Sequence, residues 1–130
     1  MKKEKCVRTI KVTNDNKKKL AQMFGCSMRM VYKALCFEAD TPLTRKIQHT
    51  ARKEMGGWIE ATVPEDEIFY DTMEGGEHVM RRYFGNGALV EISTDTSVGS
   101  VMFKGKTVKH YDRVDFKDVP GIQAFAASLR

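Results

Sequence analysis

The sequence predicts an α+β protein in which three amino-terminal helices precede a small antiparallel β-meander closed by one more helix. Three observations carry this. From Asn14 to Met55 apolar residues recur at helical spacing, with a break at Gly25 and a restart at Thr41-Pro42. After Trp58 the period shortens toward two, and the separators become Glu74-Gly75-Gly76, Gly85-Asn86-Gly87, Asp95-Thr96-Ser97 and Gly105. Asp118-Val119-Pro120 then opens a last helical stripe of Ile122, Phe125, Ala126 and Leu129. Gly56-Gly57 divides the chain into a domain of residues 1–57 and a second of residues 58–130.

In the first domain, Val7 to Val12 alternates imperfectly and reads as an extended segment packing beside the first helix. That helix opens near Thr13 or Asn14, both good caps. Lys17, Lys18 and Lys19 lie on its exposed side, Leu20, Met23 and Phe24 face inward, and Ala21 is small where the next helix crosses. Gly25 ends it, as glycine does where a left-handed backbone follows the last turn. Cys26 holds a turn position that is usually apolar and reads as a buried structural thiol. Ser27 caps a second helix running to about Phe37, with Val31, Ala34 and Leu35 inward and Met28, Arg29, Tyr32 and Lys33 outward. Thr41 and Pro42 start a third helix whose buried side is Leu43, Ile47, Ala51 and Met55. Arg45, Lys46, Arg52 and Lys53 occupy its other sides.

In the second domain, Trp58 to Val63 and Pro64 read as a connecting segment, followed by the acidic run Glu65-Asp66-Glu67. Five strands are expected, at about Glu67–Met73, His78–Phe84, Ala88–Thr94, Ser100–Lys104 and Thr107–Tyr111. Few positions here are strongly apolar. The sheet is therefore expected to pack on the last helix, on the first domain or on a second copy of the chain.

Of 130 residues, 42% are hydrophobic and 30% charged, the balance of a soluble globular protein. No apolar run approaches the roughly 18 residues of a membrane span, and the basic start MKKEKCVRTIKV lacks the apolar core of a signal peptide. Cys6, Cys26 and Cys36 form an odd set without CxxC spacing, which suggests reduced thiols in a cytoplasmic protein. Charge is divided unevenly. Residues 1–57 hold 14 Lys/Arg against 5 Asp/Glu, a net of +9, whereas residues 58–130 hold 8 against 12, a net of −4. A basic half suits a polyanion, so nucleic acid is expected to engage the first domain. Enzyme chemistry is not expected. His49, His78 and His110 lack ligand spacing with one another or with the cysteines, and GxSxG, HExxH and P-loop patterns are absent. Accordingly no catalytic residue, metal or cofactor is assigned.

Helix, short glycine turn, helix is the layout of a DNA-reading helix-turn-helix. The string LAQMFGCSMRMVYKAL, with TPLTRKIQHTARKEMGG as third helix, resembles the DNA-binding headpiece of lactose-repressor-type regulators over residues 13–57. Ala21, Gly25, Ser27, Val31 and Leu35 carry that resemblance. It implies sequence-specific binding of double-stranded DNA as a homodimer, with the second helix in the major groove. Two departures stand out: Cys36-Phe37 occurs where such headpieces often carry Asn, and a small acidic sheet replaces the sugar-binding domain. The overall plan is loosely similar to small regulators of bacterial mobile elements and phages. Met28, Arg29, Tyr32 and Lys33 become the base-contact candidates, and Ser27, Lys17, Lys18, Lys19, Arg45 and Lys46 the phosphate-contact candidates. The alternatives are a protein-interaction module that offers the helical unit and a sheet edge, with residues 58–130 binding a partner, and a sequence-indifferent accessory of DNA packaging or replication.

Overall fold

The computed structural model describes residues 7–61 and 68–130. The basic first residues with Cys6, and the run from Pro64 to Glu67, lie outside the described residues. The fold is α+β, and the chain forms two compact units, Met1–Thr62 and Val63–Arg130.

In the first unit, β1 (Arg8–Lys11) leads into α1 (Asn14–Phe24), α2 (Met28–Leu35) and α3 (Pro42–Lys53), and β2 (Trp58–Ala61) closes it. Each helix starts on a hydroxyl cap: Thr13 accepts from the Asn16 N–H, Ser27 from the Met30 N–H and Thr41 from the Thr44 N–H. The three helices pack on one another around buried Leu20, Val31, Ala34, Leu35, Ile47 and Ala51. Met23, expected inside, is 56% exposed; buried Leu20 and half-buried Phe24 supply the inner face of α1 instead. Trp58–Ala61, expected as a link, forms β2 and pairs antiparallel with β1, Ile10 opposite Ile59. Those two isoleucines are both buried, which draws the chain ends of the helical unit into one ribbon. Strand β1 lies against α2 and α3. Gly57 makes the turn into it. Its N–H donates to the Ala51 carbonyl at 2.8 Å, and a Cβ there would stand 2.8 Å from that oxygen and 2.9 Å from both Ile10 Cγ2 and Val12 Cγ1.

The cysteines differ from expectation. Cys36 is buried and disulfide-bonded, so the reading of three reduced thiols is corrected there. Cys36 follows the end of α2 and lies in the core. Cys26 is a free thiol, half-buried rather than enclosed.

The second unit is an antiparallel meander in the order β3 (Ile68–Thr72), β4 (His78–Tyr83), β5 (Ala88–Ser93), β6 (Gly99–Phe103) and β7 (Lys106–Tyr111). A single 3-10 turn (Phe116–Asp118) precedes α4 (Val119–Ala127). Alternation puts Ala88, Val90, Ile92 and Val101 on one face, where they pack with Val114, Ile122 and Ala126, so α4 covers that face. The Gly85-Asn86-Gly87 turn latches the helix. Asn86 Nδ2 donates to the Ala126 and Leu129 carbonyls at 2.9 and 3.0 Å, taking up groups that a helix end leaves open.

The opposite face is organised by a buried charge. Arg81, 2% exposed, donates from Nε to Glu91 at 2.6 Å and from Nη1 to Asp71 at 2.7 Å. Burial works to lower the Arg81 pKa, but Glu91, Tyr83 and Asp71 outweigh it and leave the pKa raised. Three adjacent strands are thereby cross-tied.

Two stability changes follow. Gly57→Ala should destabilise the first unit by about 1–3 kcal/mol in chemical denaturation, because backbone and two core side chains must move. Arg81→Leu should destabilise the second by about 3–5 kcal/mol at neutral pH, since two largely enclosed carboxylates lose their counter-charge. Part of that loss should return as pH falls and the two carboxylates take up protons.

Candidate nucleic-acid interface

The presentation of α2 begins at Gly25. Its left-handed backbone (φ 60, ψ 40) turns the N–H onto the Ala21 and Gln22 carbonyls, and the chain leaves α1 at once. Only Gly25, Cys26 and Ser27 separate the two helices. Ser27 Oγ then accepts the Met30 N–H at 3.1 Å, which starts α2 cleanly and leaves the Met28 and Arg29 N–H groups facing out of the helix end. Helix, three-residue glycine turn and helix are compatible with a helix-turn-helix unit.

Along α2, Val31, Ala34 and Leu35 are buried, and Gln48 Nε2 of α3 donates to the Ala34 carbonyl at 2.9 Å. The remaining arc holds two ladders at i,i+4, Met28 with Tyr32 and Arg29 with Lys33. Met28 is 45% and Tyr32 50% exposed. Arg29 is exposed and Lys33 half-buried. Neither Arg29 nor Lys33 has a carboxylate partner among the described residues. The four base-contact candidates thus share one face, with two apolar and two cationic side chains.

The helix is shorter than the sequence suggests. It ends at Leu35 rather than Phe37, since Phe37 takes a left-handed backbone (φ 59). The Phe37 N–H donates to the Ala34 carbonyl and the Glu38 N–H to the Lys33 carbonyl, a Schellman closure normally built on glycine. Buried Arg8 stacks on the Phe37 ring, its guanidinium carbon 4.1 Å from the centroid, and helps hold this unusual cap.

The phosphate-contact candidates divide into groups. Ser27 is exposed at the open end of α2, where helix N–H groups and the dipole favour an anion. Lys18 and Lys19 are exposed and Lys17 half-buried on α1, and none of the three has a carboxylate partner among the described residues. Arg45 differs: its Nε donates to Asp40 at 2.7 Å, so a neighbour already offsets its charge. Lys46, one residue on, is exposed. Sequence reasoning missed both Asp40 as the partner of Arg45 and the Arg8–Phe37 clasp. The first leaves a faint trace as an acid five residues ahead of an arginine, just before a cap; the second leaves none.

Of the three histidines, His49 is exposed on α3, while in the second unit His78 Nδ1 stands 3.3 Å from Asp95 and His110 Nε2 3.3 Å from Asp112. The His78 backbone N–H is the main cause holding the Asp95 carboxyl below its ordinary value. Among the described residues no three His, Cys, Asp or Glu side chains gather as metal ligands, and no helix is long and apolar enough to cross a membrane.

Removing the cap tests how α2 is held. Ser27→Ala should lower stability by about 0.5–2 kcal/mol in urea unfolding, and Ser27→Asp should keep it near the parent value.

Comparison of the chain with family models, with characterised proteins and with solved structures found no match.

Proposed function

We propose that the protein is a sequence-specific double-stranded DNA-binding regulator that reads the major groove with α2. The observation that carries this is one outward arc of Met28, Arg29, Tyr32 and half-buried Lys33, set behind a capped helix end, with no carboxylate among the described residues answering its two cations. Arg29 in the first turn suits a bidentate bond to guanine, and Met28 suits a thymine methyl. Tyr32 and Lys33 lie one turn further on. Lys17, Lys18, Lys19 and Lys46 would supply phosphate contacts that set register, with Arg45 a weaker contributor because Asp40 holds it.

An α2 of eight residues is only about 12 Å long and spans few base pairs. A homodimer on a two-fold site would double the length read. Such a ligand fits a cytoplasmic protein of the kind that small mobile elements and phages carry, though the Cys36 disulfide is a bond that compartment tends to reduce. A second reading has its own observation: Ile68 and Tyr70 are exposed on edge strand β3, which favours strand addition by a partner protein.

Selection of bound duplexes from a random pool tests the first reading. A two-fold symmetric motif should emerge, with affinity falling steeply as salt rises. Arg29→Ala should erase preference at one base position per half-site, worth about 1–3 kcal/mol. Recovery of no motif, together with a stable stoichiometric protein complex free of DNA, would favour strand addition instead. Salt-sensitive binding without a motif would indicate sequence-indifferent packaging.

A further inference from the structure

The second unit carries a net negative charge, yet its last two strands do not. Between Thr96 and Tyr111 the chain has Lys104, Lys106, Lys109 and His110 and no carboxylate. Several of the acids elsewhere in the unit have partners of their own: Asp71 and Glu91 pair with Arg81 and Asp115 with Arg113, while Asp95 and Asp112 lie 3.3 Å from His78 and His110. Lys104, Lys106 and Lys109 are exposed and have no carboxylate partner among the described residues.

Backbone irregularities bring two of these onto one face. Lys106 pairs with Phe103 and Lys109 with Val101, two positions that share a face of β6. In a regular strand, residues three apart point to opposite faces. The register shift opposite Val101 and Met102 inserts Val108 as a bulge and returns Lys109 to the face of Lys106. Lys104 stands in the adjoining turn, its ammonium 5.1 Å from the Phe103 ring centroid. Lys109 Nζ stands 5.7 Å from the Tyr111 centroid and 5.5 Å from that of Phe125. These rings hold the Lys104 and Lys109 ammonium groups in place while solvent still reaches them. Lys104 (φ 51) and Gly105 (φ 85) form a two-residue hairpin turn whose first position favours Asn, Asp or Gly. A lysine is held there against backbone preference.

We propose that the bulged β6–β7 hairpin is a second nucleic-acid contact, at which Lys104, Lys106 and Lys109 bind DNA backbone phosphates. Lysines on an edge strand also deter strand pairing, but that task requires neither a shared face nor a strained turn position. Phosphate binding benefits from both, because charges gathered and held in advance lose less freedom on contact. This inference shares only its ligand with the function proposed above and stands on different residues.

The full-length protein and a random-sequence duplex, titrated across salt concentration, provide the test. The variant Lys104→Asn/Lys106→Gln/Lys109→Gln should reduce the salt slope by about 2–3 and weaken binding on the order of a hundredfold at 0.1 M salt. Lys104→Asn alone suits the turn, should keep or raise the melting temperature, and should reduce the slope by about 0.9. An unchanged slope in folded variants overturns the proposal, as does equal competition by polyglutamate at matched charge. Arg29→Ala/Lys33→Ala, run in parallel, separates the two surfaces. Loss only with the hairpin variants would leave this proposal standing and defeat the α2 reading. Loss only with the α2 variant would do the reverse, and a parent protein that binds no duplex overturns both.

Discussion

The left-handed backbone at Gly25 is the constraint on which the surface of the first unit depends. It ends α1 sharply, so that only three residues separate that helix from α2. A residue with a side chain would meet open space there; the obstacle is the backbone conformation itself. Because the turn is so short, burial of Val31, Ala34 and Leu35 fixes the rotation of α2 about its axis. Met28, Arg29, Tyr32 and Lys33 are then left outside as a set. The proposed DNA-reading face is the complement of a packing requirement.

The same logic operates differently in the second unit. Its apolar face is covered by α4, and its other face is tied across β3, β4 and β5 by Arg81 between Asp71 and Glu91. Placing two carboxylates around one buried guanidinium uses negative charge inside the fold. The sign of a sequence half therefore does not give the sign of each surface within it. An acidic total coexists with a hairpin that carries only lysines and a histidine.

Much of the fold was legible because its punctuation is local. Ser27 and Thr41 cap the helices they were expected to cap, Thr13 is the cap of the two residues offered for α1, and each of the five strands lies within a residue of its expected bounds. Turn and cap chemistry depends on neighbouring residues, so sequence displays it directly. What was not legible came from contacts distant along the chain. Trp58–Ala61 became a strand because Arg8–Lys11 was available to pair with it, some fifty residues earlier. The end of α2 was misplaced because Phe37 adopts a conformation that glycine would have announced, with Arg8 stacked on it. The solvent-facing arc of α2 followed from periodicity, since burial of the opposite face determines it. The local pairing of Arg45 with Asp40 and the bulge at Val108 did not, because neither alters the hydrophobic pattern.

The most direct measurement of the central claim is a map of backbone amide shifts as a duplex DNA fragment is added at low ionic strength. The account predicts that the amides of Ser27 through Lys33 move most within the first unit, with those of the β1–β2 ribbon nearly unchanged. Movement confined to β3 or α4, with α2 silent at saturating DNA, would contradict it.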